Sequence, residues 1–179
     1  MAGFDYESLI TDIPDYPSEG VVFKDITTLL KDGEGFHSMV DEIAAEFEGR
    51  GITKVVGAEA RGFMVGAPVA YRLGAGFVPA RKLGKLPRAT ISESYSLEYG
   101  SDALEIHEDA LDENDVVLLV DDLVATGGTC VAQIHMVERM GAKLEGLAFL
   151  MELEFLHPRE FIAKATDAEV FSVVKVAGE

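Results

Sequence analysis

The sequence has one cysteine and no tryptophan among 179 residues. A lone thiol, Cys130, excludes a disulfide framework and a thiolate zinc cluster. Basic residues are scarce: 15 Lys and Arg stand against 32 Asp and Glu, for a formal net charge of −17. Phosphate-tracking surfaces need clustered positive charge, so a broad nucleic-acid surface is excluded. No Lys or Arg occurs in the first 23 residues, which removes the positive n-region of a secretory signal. The longest wholly aliphatic run, Val116–Val120, is far shorter than the about 20 residues that cross a bilayer. The expectation is a cytoplasmic protein that neither spans nor binds a membrane. With 48% apolar and 26% charged residues, the composition is that of a folded chain. The length suits one domain over residues 1–179.

Short apolar runs alternate with helical patterns along the chain. Phe4–Ile10 reads as a short helix broken by Pro14 and Pro17. Asp32 is placed to cap a helix from about Gly35 to Gly49, with Phe36, Met39, Val40, Ile43 and Phe47 on one stripe. Strands are expected at Thr53–Gly57, Gly76–Ala80, Val116–Val120, Gly146–Met151 and Val170–Val176, with helices at Phe63–Leu73 and from the glycines after Asp122 to about Met140. Val116–Val120 has no polar alternation, as in a parallel strand covered on both faces. The pattern predicts a doubly wound α/β domain with a mostly parallel sheet of about five strands, and ligands where strand C-termini meet loops.

Two stretches break the rhythm. Thr90–Ile106 alternates around Gly100-Ser101-Asp102 as a hairpin does, and an excursion of that length is usually a lid or functional loop. Residues 81–88 carry four basic residues and no acid, whereas residues 89–137 carry eleven acids and no Lys or Arg. One reading is a basic loop that pairs with nearby acids. The other is an anion clamp on a mobile Gly- and Pro-containing loop, suited to a polyphosphate.

The most informative stretch is Val117-Leu-Leu-Val-Asp121-Asp122-Leu-Val-Ala125-Thr126-Gly127-Gly128-Thr129. A buried strand delivers two carboxylates to its C-terminal edge, where they accept bonds from sugar hydroxyls or hold a divalent cation. The turn Ala125–Thr129 leads into a helix whose free N–H groups and positive dipole end suit a phosphate. Gly127 and Gly128 let the backbone approach the anion, while Thr126 and Thr129 add hydroxyl donors. It lacks the Lys-Ser/Thr ending of a Walker A loop.

These thirteen residues resemble the ribose-phosphate signature of the type I phosphoribosyltransferases. Pro17-Ser-Glu-Gly-Val-Val-Phe23-Lys-Asp25-Ile-Thr, Val55-Val-Gly-Ala-Glu59-Ala-Arg61-Gly62-Phe63, Arg81-Lys-Leu-Gly-Lys85-Leu-Pro87 and Glu98-Tyr99-Gly100 are similar, in order, to the adenine phosphoribosyltransferase family. The resemblance runs from about residue 4 to about residue 155. It implies that fold, with a small N-terminal hood and a flexible β-hairpin loop. It also implies transfer of a 5-phosphoribosyl group from phosphoribosyl diphosphate (PRPP) to adenine, giving AMP and diphosphate, with Mg2+. Relatives are homodimers, so a homodimer with small-molecule partners is the implied assembly.

Carried over residue by residue, the resemblance gives Asp121 and Asp122 the ribose hydroxyls and Ala125, Thr126, Gly127, Gly128 and Thr129 the 5-phosphate. Arg61, Arg81, Lys82 and Lys85 take diphosphate. Phe23 stacks on adenine, backbone groups of Val22 to Lys24 read its exocyclic amine, and Leu153 forms the opposite wall. Glu98 is the acid/base group. Magnesium is held largely by the substrate, not by a protein cage. Relatives that use hypoxanthine or guanine usually have Asp where Ala125 stands, which counts against those acceptors and leaves proton handling to Glu98. The family commonly has Arg where this chain has Lys24, and lysine lacks the bidentate fork.

His37, His107, His135 and His157 show no metal-ligand spacing, and Cys130 reads as a small buried side chain. A regulatory protein that keeps this fold to sense PRPP and bind DNA or RNA would carry an added basic domain and a degraded catalytic loop. Neither is seen.

Overall fold

A computed structural model describes residues 4–97 and 100–178. A short 3-10 turn, Glu7–Leu9, leads into β1 (Thr11–Ile13) and β2 (Phe23–Asp25), followed by α1 (Thr27–Leu30) and α2 (Gly33–Phe47). Then come β3 (Lys54–Ala58), α3 (Arg61–Leu73), β4 (Gly76–Lys82), β5 (Thr90–Leu97) and β6 (Gly100–His107). The chain closes with β7 (Val116–Val124), α4 (Gly128–Arg139), β8 (Lys143–Leu153), α5 (Pro158–Ile162) and β9 (Glu169–Val176).

The main sheet has seven strands in the order β5-β6-β4-β3-β7-β8-β9. The five expected strands are its parallel part, and the hairpin β5-β6 extends it antiparallel beside β4. β7 lies between β3 and β8, and its side chains serve both faces: Val117 and Leu119 enter the core beneath α4, Leu118 and Val120 the core beneath α2 and α3. That double burial is why the run shows no polar alternation. Asp32 caps α2 as expected, accepting the Gly35 N–H at 2.8 Å, a bond worth about 1 kcal/mol.

Three differences from the sequence reading go beyond a shift of an element's end, while β4 and β8 simply run on to Lys82 and over Lys143–Leu153. Phe4–Ile10 holds only the one 3-10 turn, because Tyr6 is drawn into the α2 core and its hydroxyl bonds Glu42 at 2.6 Å. β7 continues to Val124, since its ladder with β8 runs on through Val124–Glu152, so both aspartates lie inside the strand. Gly100, Ser101 and Asp102 belong to β6, paired with Leu97, Ser96 and Tyr95, so they are not the hairpin turn.

The sheet order also fixes where a ligand belongs. After β3 the chain moves outward to β4 and the hairpin, then returns to the other side of β3 as β7. The loops leaving β3 and β7 therefore part at a switch point, and the crevice between them is where open α/β sheets bind ligands. One loop begins Glu59-Ala60-Arg61 and the other runs Ala125–Gly127. The two-stranded β1-β2 sheet stands on the same core as α2 and α3 through Tyr6, Ile26 and Leu29.

Candidate active site

The carboxylate pair occupies the C-terminal half of β7. Asp121 Oδ1 accepts the Asp122 N–H at 2.9 Å and lies against α3, where a Cβ on Gly62 would stand 2.6 Å from it. Only glycine at 62 lets the first turn of α3 approach that carboxylate. Burial and the neighbouring Asp122 charge push Asp121 well above the usual carboxylate range. Burial also raises Asp122, with Arg61 pulling the other way.

Asp121, Thr126, Gly127, Gly128, Thr129 and Phe149 are among the residues lining a cavity of about 180 Å³ at the start of α4. Gly127 caps the helix at φ 92°, in the left-handed region, and α5 packs directly behind it through Phe161 and Ile162. The turn and the first residues of α4 thus line the cavity at the helix N-terminus, where free N–H groups and the positive dipole end favour an anion. Cys130, in the first turn, is buried, and burial pushes its thiol up, so the helix end does not make it a nucleophile.

Arg61, from the other switch-point loop, joins the carboxylates to the hood. Its Nε lies 2.9 Å from Asp122 Oδ2, and its guanidinium stands 5.0 Å above the Phe23 ring. Asp122 is almost fully buried, and this oxygen has no aligned hydrogen bond among the described residues. A buried carboxylate oxygen with only an ionic contact is suited to accept a hydroxyl donor from a ligand. Asp25, beside the same arginine, is held below its ordinary value first by the Thr27 N–H and then by Arg61 and Lys31.

Two of the four cations of residues 81–88 pair with acids of the segment that follows: Lys82 with Asp102 in the hairpin at 2.9 Å, and Arg88 with Asp109 just after it. Asp102 accordingly raises Lys82. Arg81 Nε donates to Glu59 Oε2 at 2.9 Å, which ties this loop to the one carrying Arg61. Pairing with nearby acids is therefore part of the explanation for the charge segregation. The loop is also anchored at its base, since the Lys85 and Leu86 amides donate to Glu105 at 3.1 Å.

The candidate purine wall divides along β2. Phe23 faces Arg61, with Tyr16 edge-on at 5.2 Å, while the Lys24 ammonium turns to Asp12 at 2.7 Å. The Lys24 side chain lines a separate cavity of about 380 Å³ with Met151 and Val174. Val22 is exposed, and Leu153 ends β8 against the core that supports the hood. Glu98 lies outside the described residues.

The sequence reading missed the support from the last quarter of the chain. Glu152, 1% exposed, takes a two-pronged contact from Arg159 at 2.8 Å and 2.8 Å and a bond from the Ser172 hydroxyl at 2.7 Å. Although burial opposes it, Arg159 and Ser172 hold this carboxyl below its ordinary range. The pair fixes α5, and α5 backs Gly127. Acid beside an apolar strand and arginine seven residues on was the available signal. His135 lies 3.3 Å from Glu93 and His157 3.6 Å from Glu160, both in surface pairs.

A family model described as a phosphoribosyl transferase domain matches residues 28–175. An adenine phosphoribosyltransferase of Desulfitobacterium hafniense (strain Y51) is 50% identical over 175 residues, covering 98% of this chain and 99% of that protein. A crystal structure of the enzyme of that name from Thermoanaerobacter pseudethanolicus superposes with a TM-score of 0.90 at 47% identity, covering 95% of this chain and 97% of that one. The Giardia lamblia enzyme complexed with 9-deazaadenine gives a TM-score of 0.93 at 39% identity, over 99% of each chain. Matched over nearly its whole length by these relatives, the chain belongs to the adenine phosphoribosyltransferase family of the type I phosphoribosyltransferases.

Proposed function

We propose that residues 1–179 act as one domain that transfers the 5-phosphoribosyl group of PRPP to adenine, giving AMP and diphosphate in purine salvage. The observation that carries this reading is the meeting of Asp122, with an oxygen lacking an aligned donor, and Arg61 at the switch point, beside the turn at 125–129.

Asp121 and Asp122 accept the ribose hydroxyls, and the amides and hydroxyls of Ala125–Thr129 hold the 5-phosphate. Arg61 exchanges Asp122 for the diphosphate, which Arg81, Lys82 and Lys85 also bind. Adenine lies between Phe23 and Leu153, with the Val22–Lys24 backbone reading its amine. As C1 of the ribose loses diphosphate and becomes oxocarbenium-like, the purine nitrogen bonds to it and its proton passes to Glu98. Lys24 contributes its backbone alone, which the turn of its side chain to Asp12 supports, so arginine is not required there.

Magnesium would be held largely by the substrate, and the hard carboxylate oxygens of Asp121 and Asp122 at the end of β7 suit such a cation. When bound it supplies charge neutralisation to the leaving diphosphate. A homodimer is supported by α3, where Met64 and Tyr71, 40% and 88% exposed, lie two turns apart on one face. The net charge of −17 supports small-molecule partners over nucleic acid. No described helix is long and apolar enough to cross a membrane, and a single buried thiol suits the cytoplasm.

Incubation with PRPP, magnesium and each natural nucleobase tests the reading. AMP from adenine is expected, with other bases poor acceptors. Equal use of hypoxanthine, or no nucleotide at all, would overturn it.

A further inference from the structure

One buried carboxylate has no part in the mechanism above. Glu105 sits on β6 between the core residues Leu104 and Ile106 and is 6% exposed. Its Oε1 accepts the N–H groups of Lys85 and Leu86, both at 3.1 Å, and its Oε2 accepts the Thr90 hydroxyl at 3.2 Å. The same peptide is held from its other side, where Arg81 Nη1 donates to the Lys85 carbonyl at 3.4 Å. Arg81 is in turn fixed by Glu59, whose Oε2 also accepts the Lys82 N–H at 2.9 Å.

Burying a carboxylate is costly unless its lone pairs are filled, and an apolar residue would pack there without that cost. Glu105 stands opposite Arg81 in the β4–β6 ladder, where it could have neutralised a cation. Its hydrogen bonds run instead to backbone amides of the loop and to Thr90. These bonds restrain the loop, so less ordering is left to oppose anion binding.

We propose that Glu105 is a positioning residue for the diphosphate site. It fixes residues 85 and 86 so that Arg81, Lys82 and Lys85 converge on one anion. This rests on the assignment of those three side chains to diphosphate.

Glu105→Ala is the test, read by steady-state kinetics and diphosphate calorimetry. The expected result is a rise of about tenfold in KM for PRPP and in Kd for diphosphate, about 1.4 kcal/mol, with KM for adenine unchanged. Glu105→Gln keeps an acceptor oxygen for both amides and restores both constants to within about twofold. Should the alanine variant fail to fold, Glu105→Asp, one methylene shorter, must show the same split. Arg81→Ala and Lys85→Ala run alongside. If these weaken diphosphate binding while Glu105→Ala leaves KM for PRPP unchanged, the positioning role is overturned and the cation assignment stands. If neither weakens it, the assignment itself is wrong.

Discussion

Replacing Asp121 with asparagine separates the two demands on the end of β7. Burial and the Asp122 charge raise Asp121 above its unfolded value, so between those two values the native chain holds a proton that the unfolded chain has released. Stability is then fully present below the ordinary carboxylate range of about 3.9 and is lost as pH climbs through the raised value. Each unit of that rise corresponds to about 1.4 kcal/mol before the site relaxes. Asparagine removes the charge but keeps the oxygen that accepts the Asp122 N–H at 2.9 Å, and it fits the same space against Gly62. Asp121→Asn should therefore stabilise the ligand-free protein at pH 7.5 by on the order of 1 kcal/mol, a Tm rise of about 2–4 °C. The gain should shrink as the pH is lowered to about 4, the ordinary carboxylate range. A charge-assisted bond is worth about 1.5–3 kcal/mol, so AMP should bind roughly 10- to 100-fold more weakly. Thermal melts at both pH values and AMP calorimetry read this directly. A lower Tm at pH 7.5 without ligand, or unchanged AMP affinity, would refute the reasoning.

Phe23→Ala should raise KM for adenine about tenfold with PRPP binding nearly intact, and the opposite pattern would remove the stacking role. Glu98→Ala should lower kcat by about 10²- to 10⁴-fold with little change in substrate binding, because its role is in the transition state. An unchanged kcat would dismiss it. Arg159→Met leaves the buried Glu152 with the Ser172 hydroxyl alone and should cost about 1–3 kcal/mol in chemical denaturation, with weaker AMP binding as α5 loosens behind Gly127. Loss of stability below about 1 kcal/mol would show that the pair does not hold α5.

The elements most legible in the sequence were those whose local signals agree with their burial. The cap at Asp32, the stripe of α2 and the aliphatic strand of β7 each sit in one environment along their length. Boundaries failed where tertiary pairing overrode local pattern. The β8 ladder carried β7 through two aspartates, and the hairpin register took Gly100 into β6. The placement of the carboxylates and the turn between β7 and α4 was legible because an apolar run, two acids and two glycines in succession mark a strand end before a helix. The joining contacts were not: Arg61 with Asp122 spans 61 positions and Arg81 with Glu59 spans 22. Nothing in local periodicity encodes such pairs. Glu105 and Glu152 look like ordinary strand acids until their faces are known to be buried.

The most direct test is a crystal structure with AMP bound. The 5-phosphate is expected against the amides of residues 125–129, the ribose hydroxyls on Asp121 and Asp122, and Arg61 drawn off Asp122. Electron density for the nucleotide in the cavity beside Lys24, or anywhere away from the end of β7, would contradict it.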